Sequence, residues 1–444
     1  MIPRLRLLGI AVPAAIALVA IAAWPMFVAR GVNEVQASAG PTMAPVVADY
    51  LHRDKQVAFW ESVVARHNRG DMLSPSQLSN QYLQRYRERG DIDDVLRAKH
   101  QAERSVHVLR DYLPGEMELS AALLTLHRFH AALGVLHEAE RTDAGDPGIA
   151  VREASLDLEI GRYGEAERLL ARAAAGRTVD SIEVDTVRSR LLEETGRLAA
   201  ARTLLERAER LQNSAFDAPA QARAWFFVRE GEMAFEAGDI ETALADEREA
   251  LTLFPTYAEA SRTLARFECA IHAWQDCYAD AKRSAEIVPY PETLGYEADA
   301  QRALGDTAGA ARTVDLIGTI ERIGNTQHVS DRLLAIYYSE HGLRLDAAYR
   351  IAENELRIRD DIYTEDTLAW AAAMDGRWDE ARVAIRKALV FDTEDSRLQY
   401  HAGAIALHFG DRAAAKRRFA RALALNPRFH PSYADEARVQ LARL

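Results

Sequence analysis

The stretch AIALHFGDRAAAKRRFARALALNPRF, residues 404–429, carries two short segments with apolar residues at helical spacing, broken by Gly410 and Asp411. Apolar positions recurring every three to four residues predict amphipathic helices, and the break predicts a hairpin between them. The pattern recurs along the chain. Aligned on the residue at the turn, the copies fall at Gly90, Arg128, Gly161, Gly196, Gly238, Trp274, Gly305, Gly342, Gly376 and Gly410, with spacings of 38, 33, 35, 42, 36, 31, 37, 34 and 34. Eight of the ten anchors are Gly, as expected where a chain leaves a helix with positive φ. Five residues further stand Val95, Leu133, Ala166, Ala201, Ala243, Ala279, Ala310, Ala347, Ala381 and Ala415. A small residue at one fixed point per pair lets two helices approach closely. Ala returns twelve past the anchor at Ala102, Ala173, Ala208, Ala250, Ala388 and Ala422, and Pro255, Pro291 and Pro427 fall seventeen past, where the second helix must stop.

A chain of 444 residues accommodates two or three ordinary domains or one long array, and the periodicity selects the array. An apolar fraction of 48% with 27% charged residues excludes a disordered chain. The net charge of −12 argues against a sleeve for nucleic acid, which needs a basic stripe.

The hairpins resemble the tetratricopeptide repeat. Residues 224–257 place Phe227, Gly231, Gly238, Ala243, Ala250 and Pro255 at that family's signature positions; residues 396–429 do so with Gly403, Gly410, Ala415, Phe419, Ala422 and Pro427. The copies around Gly90, Arg128 and Trp274 are degenerate. The resemblance implies an all-α, right-handed α-solenoid of about ten hairpins, with the first helix of each pair lining a concave face. One such pair cannot bury its apolar faces alone, whereas stacked neighbours share a continuous core. Residues 47–75 are expected to form a leading helix, 76–429 the solenoid and 430–444 a C-terminal capping helix. The 42-residue step holds LQNSAFDAP, 211–219, expected as a loop insertion.

The resemblance also nominates inner positions. Trp225, Phe235, Tyr363, Trp370 and Tyr400 would line one groove, with Asp299, Arg302, Asp366 and Arg397 between them. Aromatic anchors interspersed with charges suit an extended peptide or a partner helix. The carboxylate clamp of the chaperone-adaptor subfamily is not expected, because the position six before the turn is Glu232, Asp299, Ile336, Trp370 or Ala404 and never Asn.

Cys269 and Cys277 flank the turn at Trp274. On one straight helix they would lie about 12 Å apart, too far for a disulfide. Across a hairpin they face each other, as either a bond that staples this pair or two free buried thiols. The spacing looks like the staple of the related Sel1-like, cysteine-rich bacterial repeats. His127, His130 and His137, with His100 and His107 upstream, are read as surface or packing residues, with no metal site and no cofactor. No phosphate loop, dinucleotide fingerprint, H-E-x-x-H or G-x-S-x-G motif occurs, and no enzymatic activity is expected. Lys416, Arg417, Arg418 and Arg421 form a basic helix face, read as a solvated outer surface.

At the N-terminus, Arg4 and Arg6 precede an uncharged run from Leu7 to Ala29, long enough for a ~30 Å hydrocarbon layer. The flanking charge places the N-terminus in the cytoplasm and exports the rest. Residues 1–30 are expected to be a signal anchor of the bacterial inner membrane, or else a signal peptide cleaved after Ala22 or Ala39. Residues 31–46, with Gly31, Gly40, Pro41 and Pro45, would be a tether. The expectation is a non-enzymatic scaffold with a protein partner, tethered to the membrane through residues 7–29 and facing the periplasm, with no nucleic acid. The alternative is a structural subunit or assembly factor of an envelope or secretion complex.

Overall fold

The structure is a computed structural model describing residues 48–66, 70–175, 181–215, 217–326 and 332–444; the expected anchor and tether lie outside them. No strand occurs among the described residues. After a 3₁₀ turn, Asp49–His52, helix α1 (Arg53–Arg66) leads into ten hairpins. They are α2 (Leu73–Arg89) with α3 (Ile92–Val108), α4 (Leu113–Thr125) with α5 (Phe129–Thr142), α6 (Pro147–Glu159) with α7 (Tyr163–Ala174), α8 (Ile182–Glu194) with α9 (Leu198–Ser214), and α10 (Ala220–Glu236) with α11 (Ile240–Leu253). There follow α12 (Ala258–Ala270) with α13 (Trp274–Ile287), α14 (Pro291–Ala303) with α15 (Thr307–Thr326), α16 (Arg332–Glu340) with α17 (Leu345–Leu356), α18 (Ile362–Met374) with α19 (Trp378–Ala388), and α20 (Ser396–His408) with α21 (Arg412–Leu425). Helix α22 (Tyr433–Arg443) closes the chain. Residues 73–75 fall inside α2, so the solenoid begins three residues before the expected edge. Leu211–Ser214, expected in a loop, continue α9, because Gln212 and Asn213 are buried there.

The turns are built alike. Asp91, Asp146, Asp239, Asp395 and Asp411 each accept a hydrogen bond from an amide of the helix they precede, satisfying orphan donors. The left-handed residue is Gly in eight hairpins; in the second and sixth it is His127 (φ 54) and His272 (φ 63). This corrects the alignment on Arg128 and Trp274 by one and two residues. The small position then moves to Ala132 and Cys277, each wholly buried. In the eighth hairpin Arg344 also takes positive φ, inserting a residue, so that Ala348 rather than Ala347 is buried. Close approach at this layer is strict: a Cβ on Gly403 of α20 would stand 2.8 Å from the Phe419 ring of α21.

The coil winds until it meets itself. The Ile362 amide donates to Tyr163 Oη at 3.1 Å, the Leu198 amide to Glu394 Oε2 at 3.1 Å, Thr393 Oγ1 to the Glu194 carbonyl at 2.6 Å, and Asn426 Nδ2 to the Phe235 carbonyl at 2.7 Å. These partners lie 191 to 199 residues apart. The third, fourth and fifth hairpins therefore touch the chain at the ninth and tenth, about six hairpins on. The turn glycines of the first coil form the seam. A Cβ on Gly161 would stand 1.9 Å from the Asp360 carbonyl oxygen, and one on Gly238 2.7 Å from that of Leu425. Beside them runs a buried ion-pair chain. Glu159 receives Arg190 from the first coil at 2.5 Å and Arg359 from the second at 2.9 Å. Arg359 also binds Asp361 at 2.7 Å. Burial would raise both acids, but Arg359 and Arg332 on Asp361, and Arg190 and Arg359 on Glu159, hold them below the usual carboxylate range.

Candidate functional site

With the coils in contact, first helices line an inner face that holds two cavities. Its larger cavity, about 180 Å³, is walled by the end of α2, by α10, and by the beginnings of α12, α14, α16 and α20. A second, about 50 Å³, lies beside α14, α16 and the loop before α22. Small-molecule pockets typically span about 300–1,000 Å³, and a helix with its side chains is about 10 Å wide. Each of these two cavities as it stands is smaller than such a pocket.

The space is filled by the protein's own charges. Arg229 bridges Glu193 at 2.6 Å and Glu232; Arg262 bridges Glu292 and Glu259. Arg87 donates to Gln84 Oε1 at 2.8 Å, and burial, opposed by the charges of Glu118 and Glu88, pulls its guanidinium down to about 10. Burial and then Asp395, reaching in from the second coil, push Glu236 up to about 8. Glu340 goes the other way: burial opposes it, but the hydrogen bond and charge of His430, with Arg397, hold it at about 2.

The nominated residues divide. Phe235, Trp370 and Tyr400 are corrections. They are packing residues at 1%, 5% and 2% exposure. Phe235 stacks on Phe267, Tyr400 stacks on Tyr433, and Trp370 stacks on His401 while its indole N–H donates to Tyr433 Oη at 3.2 Å. Trp225 is buried edge-on to Phe226 with one face on the larger cavity. Tyr363 is half-buried under the Arg332 guanidinium. Asp366 is buried against His401 Nδ1 at 3.0 Å. Asp299 holds Arg302 at 2.6 Å and His341 Nε2 at 2.9 Å. Arg397 touches both cavities and faces Glu340 at 3.7 Å. The inner positions were legible; what covers them was not, because the covering groups come from the next repeat and from the other coil.

The structure joins Cys269 and Cys277 in a disulfide with Cα atoms 5.2 Å apart. Cys277 replaces the usual Ala at the small position. Of the histidines, His127 occupies its turn, where burial lowers it to about 4, and His137 contacts Glu153 at 3.0 Å. Among the described residues no group of three His, Cys, Asp or Glu has the geometry to hold a metal, and no helix is long and apolar enough to cross a membrane.

This is an all-α solenoid of tetratricopeptide-type hairpins. No protein-family model and no curated protein matches the chain. Among solved structures it is similar to the human IFIT1 dimer with m7Gppp-AAAA, at 16% identity and a TM-score of 0.50 over 77% of this chain and 76% of that one. A tetratricopeptide repeat protein from Parabacteroides merdae matches at 18% identity and 0.33, over 59% and 97%. Yeast Tom70 matches at 12% and 0.33, over 84% and 96%. The likeness is one of fold. Solenoids of this kind serve generally as scaffolds for binding partners.

Proposed function

We propose that the protein is a non-enzymatic scaffold, held at the bacterial inner membrane by residues 7–29 and facing the periplasm, that binds a protein partner on the outside of its coil. The observation that carries the binding mode is the closure of the first coil on the second. It fills the inner face with internal ion pairs and leaves the outer face as the extended surface. The apolar run behind Arg4 and Arg6 supports the location. A disulfide at Cys269–Cys277 is consistent with it, since such bonds persist in oxidising compartments. Tethering raises the local concentration of scaffold and partner, so modest affinity suffices.

The test has two arms. Alkaline phosphatase fused after Leu444 is expected to be active; a fusion active only as a cytoplasmic reporter overturns the location. A chain lacking residues 1–30 is expected to run as a soluble monomer on gel filtration. If it is stable only within a stoichiometric assembly, the protein is instead a structural subunit of a membrane complex.

A further inference from the structure

A cavity larger than either of those on the inner face lies on the outside. A groove of about 660 Å³ runs between α19 and α21 with α20 as its floor. Leu389, Ala406 and Phe409 supply apolar surface above the buried Ile385 and Ile405, and Phe409 is 37% exposed. The lining holds five arginines against two aspartates, on a chain whose net charge is −12. Some of these cations are engaged: Arg418 and Arg421 share Asp392, and Arg382 pairs with Asp379 at 2.9 Å while lying over the Phe409 ring. Arg386, on the α19 rim, and Arg417, on the α21 rim, are exposed and meet no carboxylate among the described residues. Two open cations thus face each other across an apolar trough.

We infer that this groove docks one amphipathic helix of the partner protein, its apolar stripe on Leu389 and Phe409 and its Asp or Glu flanks on Arg386 and Arg417. The inference rests on the scaffold function proposed above and says where and by what chemistry the partner is held. A helix seats between two helical ridges, and the arginine rims select acidic flanks and exclude basic ones. A bilayer surface suits this shape less well, because the apolar residues line a groove between two helices rather than a flat face.

The test uses the full chain in the cells that make it. A photo-crosslinking phenylalanine analogue is placed at Phe409 and, separately, at the exposed outer positions Leu96 and Leu316. Adducts are digested and the attached segment is sequenced. The expected result is one adduct at Phe409, to a segment with apolar residues at helical spacing and net negative charge. The double variant Arg386→Glu/Arg417→Glu should cut its yield about tenfold while leaving the melting temperature unchanged, as both side chains are exposed. An adduct to lipid, to a second copy of this chain, or to a neutral or basic segment overturns the inference, as does a yield indifferent to the double variant. Adducts at Leu96 or Leu316 with none at Phe409 sink the groove and leave the scaffold standing. Adducts at none of the three positions sink both.

Discussion

Gly161 and Gly376 occupy the same place in their hairpins, with φ of 76 and 80. A Cβ on Gly161 would be driven into the Asp360 carbonyl, whereas one on Gly376 would meet nothing within 4 Å. The contrast holds for the regions around them. Gly196 and Gly238 press on the second coil, while Gly305, Gly342 and Gly410 face open space. In the second coil the turn glycine serves the backbone angle alone; in the first it also makes room for another part of the chain. Equal letters at equal offsets thus carry unequal constraints, set by what the superhelix brings round about six hairpins later.

The sharpest way to break this contrast is at the ion pairs. Glu159→Ala leaves Arg190 and Arg359 buried without their shared carboxylate. It is expected to lower stability by about 3–5 kcal/mol in urea unfolding, and a change below 1 kcal/mol would mean that the coils are not in contact. Next come the glycines. Gly161→Ala should cost about 3 kcal/mol, from left-handed strain and displacement of the seam together, against about 1 kcal/mol for Gly376→Ala. Equal losses would erase the distinction between the coils. Reduction of Cys269–Cys277, which lies between the two regions, removes a short loop constraint and should cost about 2.5 kcal/mol, read as a shift in midpoint with dithiothreitol. The last effect concerns the pH dependence set by Glu236. Its folded-state pKa is raised, so the folded protein holds a proton that the unfolded chain releases near 4.5. That contribution is complete below the unfolded value and is lost as pH rises through about 8. Glu236→Gln should therefore flatten the fall in stability between pH 5 and 8, and an unchanged slope would place Glu236 in water.

Much of this was open to reading from the chain. Apolar spacing and the turn residues located ten hairpins, and the two residues flanking one turn suggested their own pairing. Two things escaped. A left-handed histidine is rare, so His127 and His272 hid the turn and shifted two copies. Closure escaped because a repeat pattern describes only nearest neighbours. Tyr163 with Ile362, or Phe235 with Asn426, share no local signal that they meet. For the same reason Trp370 and Tyr400 read as a binding surface when Tyr433 and His401 were already there.

The closure also bears on how the molecule comes apart. A simple stack of hairpins frays from its ends, each unit leaning only on the next. Here His272 Nε2 donates to the Pro431 carbonyl at 2.8 Å, and Asn426 is fastened to Phe235. Loosening the last hairpin therefore disturbs the middle of the chain as well as its tip. Amide protons near Phe235 and Thr393 should exchange in step, as one cooperative unit, although they sit far apart along the polypeptide.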